Sequence, residues 1–409
     1  MENKTVDKNI NEIKVRKPIG IIYYPVLYLL KLVSKILFCL KIDKKGLKGL
    51  KAPYLVLANH ASVVDIVFTL GAFLPQRLNI VTSKDLFTWK LFKPFIDKLG
   101  CIPQSQLSID IMAIKTMKAA LEQGRCVALY PEGRTSLDGK ELHYVPDNIG
   151  KLVKMLDAPV AFSHLLGAYL TKPRFFKGLR FGKIKLTAKV LLTVEEVRSL
   201  SVKEISDRIR EALKFNDHIY QRENKIKFRT NHMADRLNYI LYKCPKCGAE
   251  YEMESTKTQL ICKACGNTVT YTQYGELIPD EGSVSFDRVD QWYDYQRECI
   301  DKEIAAEDFR ISKPVEILEE NERDFSSVGE GELYIDKDFI GVEGTVKGQP
   351  FSRRMPLRIT SAIITKNEEG VDFYFADGFY RCLFTEKKYS SKYGLIVEQS
   401  YRKKMEEAK

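Results

Sequence analysis

The sequence predicts an α/β domain with an amphipathic helix ahead of it, then a small four-cysteine module, then a mainly β carboxy-terminal module ending in a helix. Three observations carry this. Buried-strand patterns alternate with helical ones over residues 45–215. Two C-x2-C-G turns stand 14 residues apart, at Cys244–Gly248 and Cys262–Gly266. Residues 330–386 read as short alternating strands and 389–408 as a helix. At 409 residues the chain is too long for one ordinary domain.

The first 17 residues are polar. A run of 13 uncharged residues follows, Pro18–Leu30, too short to span a bilayer. Pro25 kinks or starts a helix, and over Val26–Leu40 the polar positions Lys31, Ser34 and Lys35 fall on one narrow face. The pattern predicts a helix lying in a membrane interface with its lysines near headgroups; a buried core helix is the rival. No secretory signal is visible, and nine cysteines in so long a chain do not read as a disulfide scaffold, so the expected place is the cytoplasmic face of a membrane, peripherally bound.

Residues 52–60 (APYLVLANH) predict a buried strand and 62–73 a helix. Another strand is expected at 80–83, a helix at 109–122, a strand at 126–130, a helix at 149–156, a strand at 159–166 and a long helix at 201–221. The net charge is +11, distributed as +17 over residues 1–284 and −6 over 285–409. An anionic membrane, an acidic substrate or a nucleic acid would be drawn to the front of the molecule.

Two motifs follow buried strands. In Asn59-His60-Ala-Ser-Val-Val-Asp65 the five-residue spacing separates the two side chains by about 140° on a single helix. The pair works if His60 sits on the turn after the strand and Asp65 reaches back from the next helix. A carboxylate on one ring nitrogen leaves the other as a base. No Ser, Cys or Thr is obviously set up beside it as a nucleophile, so such a base would act on a substrate hydroxyl. The second motif is Pro131-Glu132-Gly133-Arg134-Thr135-Ser136, where Gly lets the backbone approach a ligand and Arg134 suits a phosphate.

Together the two motifs resemble the catalytic and phosphate-binding blocks of the 1-acylglycerol-3-phosphate (lysophosphatidate) acyltransferase family, over about residues 25–215. The resemblance implies His60 as general base and Asp65 as its orienting partner. It implies that Glu132, Gly133, Arg134 and Thr135 hold the acceptor's phosphate, with Lys84 of TSKDL near it. It further implies a lysophospholipid acceptor and an acyl donor, either acyl-CoA or an acyl carrier protein thioester, in phospholipid synthesis. Gln104 and Ser105 stand where the family carries a basic residue, and Gly-Arg-Thr-Ser replaces its commoner Gly-Thr-Arg-Ser. The stretch Tyr169–Lys183, with Lys172, Arg174, Lys177, Arg180 and Lys183 among aromatics, reads as a second interfacial surface.

Cys244, Cys247, Cys262 and Cys265 have the spacing of a structural tetrahedral zinc site, and the module resembles a zinc ribbon. An iron centre has the same spacing. Four Cys ligands leave no open position. The expected division is a tail and interfacial helix at 1–44, an acyltransferase domain at 45–225, the ribbon at 240–275, a helical linker at 285–325, and a β-rich module at 326–409 whose pattern is similar to a pleckstrin-homology or GRAM-like barrel. The acidic tail does not favour lipid binding by that module. A non-enzymatic zinc-ribbon adaptor or nucleic-acid protein on a degenerate acyltransferase scaffold is the competing reading. The intact His60/Asp65 and Glu132/Arg134 sets argue against it, and make nucleic acid a poor candidate partner.

Overall fold

The computed structural model describes residues 13, 15–88, 93–105, 110–142, 148–321, 325–366, 369–375 and 378–407. The chain divides into two compact units, residues 1–173 with 178–229, and 174–177 with 230–409.

The first unit is built on a seven-stranded sheet. Its strands are β1 (Lys41–Gly46), β2 (Leu55–Ala58), β3 (Leu78–Ser83), β4 (Ile102–Gln104), β5 (Cys126–Leu129), β6 (Val160–Leu166) and β7 (Lys185–Leu192), in the order β1-β7-β6-β2-β5-β3-β4. Strands β2 to β6 are mutually parallel; β7 runs antiparallel to β6, and β1 parallel to β7. The central strands LVLA and CVAL are buried at every position, which is why they read as unbroken apolar runs. One side of the sheet is covered by the helices Ile111–Glu122, Ile149–Leu156 and Val202–Leu213. Met117, Ala120, Val153, Leu156, Ile205 and Ile209 pack there against Leu55, Leu57, Val127, Leu129 and Phe162.

One strand and two helices depart from expectation. Strand β1, KIDKKG, is almost wholly exposed and has no apolar alternation to reveal it. The helix expected at 201–221 is two helices: Ser201 starts the first with a capping box to Glu204, and the Asn216 side chain accepts from the backbone of His218 and Ile219 to start Asp217–Glu223. The amino-terminal helix is Gly20–Leu37, beginning before Pro25 rather than at it. Pro25 removes the hydrogen bond to the Ile21 carbonyl; Ile21 is 84% exposed and Pro25 is exposed too, so the break lies on the open side of the helix.

At about 100° per residue, Tyr23, Leu27 and Ser34 share one narrow stripe of that helix, and all three are buried. The Tyr23 hydroxyl accepts from the Leu78 backbone at 3.1 Å. Ile21, Tyr28, Leu29, Leu32 and Ile36 lie on the far side, all more than half exposed. Lys31 and Lys35 fall on one flank between the two stripes.

The second unit begins with a small antiparallel sheet of β8 (Met253–Ser255), β9 (Gln259–Cys262), β10 (Thr268–Tyr271) and β11 (Leu277–Pro279). The helix Val289–Glu303 follows; the Trp292 indole donates to the Lys243 carbonyl at 2.9 Å, and Gln296 both donates to Ile240 and accepts from Lys243. Seven antiparallel strands come next, β12 (Arg310–Glu320), β13 (Phe325–Asp336), β14 (Phe339–Val346), β15 (Gln349–Pro356), β16 (Ile364–Lys366), β17 (Gly370–Phe375) and β18 (Gly378–Phe384), ordered β15-β14-β13-β12-β18-β17-β16. The final helix is Ser390–Glu407. Three half-buried side chains and the buried Lys392 close a ring of ion pairs within this unit: Lys243 with Glu250 (2.9 Å) and Glu303 (3.6 Å), Lys392 with Glu250 (2.7 Å) and Glu303 (2.8 Å).

Candidate active site and metal centre

Strands β2 and β5 are parallel neighbours in register, Leu57 beside Leu129. The turns that leave their carboxyl ends are therefore adjacent, and these turns carry Asn59-His60 and Tyr130-Pro131-Glu132. Asn59 is fully buried and pairs with the Leu165 backbone, accepting at 2.7 Å and donating to its carbonyl at 2.9 Å. That double bond pins the end of β2 to β6.

His60 Nδ1 lies 3.2 Å from Asp65 Oδ2. The His60 side chain is 20% exposed and that of Asp65 is not exposed at all. The same carboxylate oxygen accepts from the Ser62 backbone at 2.7 Å, closing the turn between the two residues. Burial pushes the Asp65 carboxyl above its ordinary range, while His60 and the turn's N–H groups work against that rise. With Nδ1 on Asp65, the opposite nitrogen, Nε2, is the one left to meet a substrate. The Ser62 hydroxyl donates to the Lys172 carbonyl at 2.8 Å, so this hydroxyl on the turn between His60 and Asp65 is committed to the backbone.

Glu132 accepts from the His60 backbone at 2.7 Å through Oε1 and from Leu142 at 3.4 Å through Oε2. It is buried, and burial pushes it up to about 8. Both oxygens are thus turned to the chain, and the residue sets the position of His60. Gly133 has φ +67 and its N–H donates to the Tyr130 carbonyl. Arg134 and Thr135 are each 7% exposed, and the Ser136 N–H donates to the His60 carbonyl at 2.9 Å. His60 is therefore gripped at both its backbone N–H and its C=O by the PEGRTS turn. Lys84, at the carboxyl end of β3, is half exposed and binds Asp110 and Ser105, both at 2.8 Å. Burial raises the Asp110 carboxyl, but Lys84 and two backbone N–H groups outweigh it and hold the group down at about 2.

Two residues that the motifs did not single out belong to this site. The Tyr130 ring stacks on the imidazole, centroids 4.2 Å apart at 25°. Its hydroxyl donates to Thr69 at 3.2 Å, and Thr69 lies 3.3 Å from the Ser163 hydroxyl. Burial, with the Asp65 charge adding, holds the phenol well above its ordinary value, so it stays neutral. Asp217 is fully buried and accepts from Gly167 (2.8 Å) and Tyr169 (2.7 Å) while its own N–H donates to Gly139. It ties the turn after β6 to the loop after β5. Only the aromatic beside PEG was available as a signal for Tyr130, and only the strand order converts it into a contact.

The basic stretch at 169–183 does not form one interfacial surface. Arg180, Tyr169, Phe175 and Phe176 are buried, and residues 174–177 belong to the second unit.

In the second unit the four sulfurs of Cys244, Cys247, Cys262 and Cys265 all lie within 4.8 Å of one another. Cys244 and Cys265 are 3.7 Å apart, Cys247 and Cys262 3.8 Å. Four thiolates around a tetrahedral zinc at about 2.3 Å stand about 3.8 Å apart, so the donor set fits. The two knuckles repeat each other. Gly248 and Gly266 have φ +75 and +71 and donate to the carbonyls of Cys244 and Cys262, whose own N–H groups donate to Ala249 and Asn267.

A mixed, mostly parallel sheet thus carries a His–Asp pair beyond its central strand and a PEGRTS turn beside it. The family model described as Acyltransferase matches residues 41–162, which span β1 to the start of β6 and hold both motifs. Among solved structures, the 1-acyl-sn-glycerophosphate (LPA) acyltransferase PlsC from Thermotoga maritima is similar at 19% identity, covering 47% of this chain and 78% of that one with a TM-score of 0.39. A likeness that distant assigns no substrate.

Proposed function

We propose that the protein transfers a fatty acyl group from an acyl thioester, of CoA or an acyl carrier protein, to the hydroxyl of a lysophosphatidate-like acceptor. The observation that carries this reading is the His60–Asp65 pair, one partner wholly buried and the other partly exposed, with the Ser62 hydroxyl on the turn between them tied to the backbone. His60 Nε2 takes the acceptor's hydroxyl proton as its oxygen attacks the thioester carbonyl. Asp65 stabilises the resulting imidazolium. The tetrahedral intermediate then collapses, the C–S bond breaks, and the thiolate recovers the proton from His60. Arg134, Thr135 and Gly133, with Lys84 at the same end of the sheet, hold the acceptor's phosphate; Glu132 contributes by fixing His60 between them. Clamping the phosphate positions the attacking oxygen.

The amino-terminal helix supports a peripheral, one-leaflet membrane association, which is proposed for the cytoplasmic face. Gly20–Leu37 is long and apolar enough to cross a membrane, with a mean hydropathy of 1.5. Its buried stripe, however, runs from Tyr23 to Ser34, about 16 Å of helix docked on the α/β unit, which leaves only the opposite stripe for lipid. The four cysteines are read as a structural zinc site that holds the ribbon together. The test is acyl transfer by the purified full chain from acyl-CoA and acyl carrier protein to lysophosphatidate, measuring phosphatidate and released thiol. No transfer to any lysophospholipid from either donor would sink the assignment. Replacing Leu29, Leu32 and Ile36 by Ser should release the protein from vesicles without unfolding it, since these side chains face outward.

A further inference from the structure

We infer that a cleft at the amino ends of the central strands binds the phosphate-bearing headgroup of an anionic phospholipid, separately from the His60 centre. The cleft holds about 480 Å³ and lies wholly within the first unit. Lys44, Lys45 and Lys48 line it, and all three are exposed. Tyr54, Phe73 and Leu74, each buried, form its apolar wall, with the Tyr54 and Phe73 rings 6.1 Å apart. Among the described residues no carboxylate lines it. Asp43, the one acid of β1, accepts from the Lys45 backbone N–H. The Lys44 ammonium donates to the Leu74 carbonyl at 3.1 Å, which holds a charge at the cleft.

Two more lysines extend the patch. The stem of Lys31 lies against Gly71, where an added Cβ would stand 3.4 Å from the lysine's own. Burial, followed by the charges of Lys44 and Lys35, lowers the Lys31 pKa, which places these ammonium groups within electrostatic reach of one another. Like charges gathered this way repel, and an anion seated among them relieves the repulsion.

The site is not the acceptor's phosphate site. Tyr54 precedes β2 and His60 follows it, and six residues of extended chain separate them by about 20 Å. The apolar wall argues for a lipid rather than a free phosphate. So does the neighbouring helix, whose flank carries Lys31 and Lys35 beside the exposed stripe of Leu29, Leu32 and Ile36. A headgroup in the cleft would leave its glycerol on Tyr54 and Leu74 while the outer stripe enters the same leaflet.

This inference rests on the interfacial reading of the helix, and the test separates the two. The full chain is titrated with vesicles of phosphatidylcholine alone and of phosphatidylcholine with phosphatidate. The K44Q/K45Q/K48Q variant should bind the mixed vesicles about tenfold or more weakly. Its binding to phosphatidylcholine alone should stay within about twofold, because the apolar stripe is untouched. A charge-matched variant, K151Q/K203Q/K225Q, should lose less than about twofold on either vesicle, since screening confines the effect to nearby charges. Equal binding by the cleft variant, or an equal loss in the charge-matched one, overturns the site alone. Displacement from mixed vesicles by inorganic phosphate at constant ionic strength would make it a soluble-anion site and overturn the lipid assignment. Failure of the intact chain to bind either vesicle overturns the interfacial reading and this site with it.

Discussion

His60 and Glu132 lie 72 residues apart and meet because two parallel strands are neighbours, whereas Cys244 and Cys265 lie only 21 apart and converge through two local turns. The first centre is held by a whole sheet: the Glu132 side chain and the Ser136 N–H bonded to the His60 backbone, the buried Asp65 carboxylate, a stacked ring. The second is held by two local turns whose four thiols are spaced to share a metal. The contrast teaches where each site is fragile. A side chain removed from the His60 site should cost chemistry and leave the fold, while a ligand removed from the cysteine site should cost the fold of its own sheet.

The sharpest break would come from His60→Ala, expected to lower acyl transfer by about 10²–10⁴-fold with unchanged secondary structure. Near-normal turnover would end the proposed mechanism. On the other side of the comparison, metal analysis of reduced protein should give about one zinc per chain. Cys247→Ser or a strong chelator should release it and open residues 240–275 to hydrogen exchange, with β2 and β5 still protected. Metal-free protein with a protected ribbon would contradict the second half of the contrast.

A smaller effect sharpens the first half. Tyr130→Leu removes the face on which the imidazole rests. It should lower kcat by about tenfold, more than it changes KM, since a stacked ring favours the imidazolium formed in the transition state. Tyr130→Phe keeps the face and should stay within about threefold. Equal losses in both would shift the role to the Thr69 hydrogen bond. The smallest effect is on stability against pH. Glu132 has its carboxyl raised from 4.5 to about 8, so the folded state binds its proton more tightly than the unfolded chain does. Its contribution is fully present below the unfolded value and fades as pH rises toward 8. Denaturant titrations of Glu132→Gln across that window should show a flatter profile than the parent; a parallel profile would mean that the group is already ionised in the fold.

Much of the His60 site was legible because LVLA and CVAL announce buried strands and the motifs follow them directly. Topology was not: nothing in the residues says that β2 lies between β5 and β6, and the roles of Tyr130, Asp217 and Asn59 depend on that order. Strand β1 escaped notice because five of its six residues present charge or no side chain to the pattern, and an exposed edge strand needs no apolar alternation. The basic loop at 169–183 misled in the opposite sense. Its charges suggested a surface, yet Arg180 is fully buried. Glu132 carried a motif whose chemistry the sequence directed toward a ligand, whereas its oxygens are turned to His60 and Leu142.

The ring of Lys243, Glu250, Glu303 and Lys392 has a hereditary consequence. Each ammonium serves two carboxylates and each carboxylate two ammoniums, so the ring is neutral as a set and charged as soon as one member is lost. A single replacement strands a half-buried charge, while a matched replacement of one lysine and one glutamate restores neutrality. Drift at these four positions should therefore run through compensated pairs.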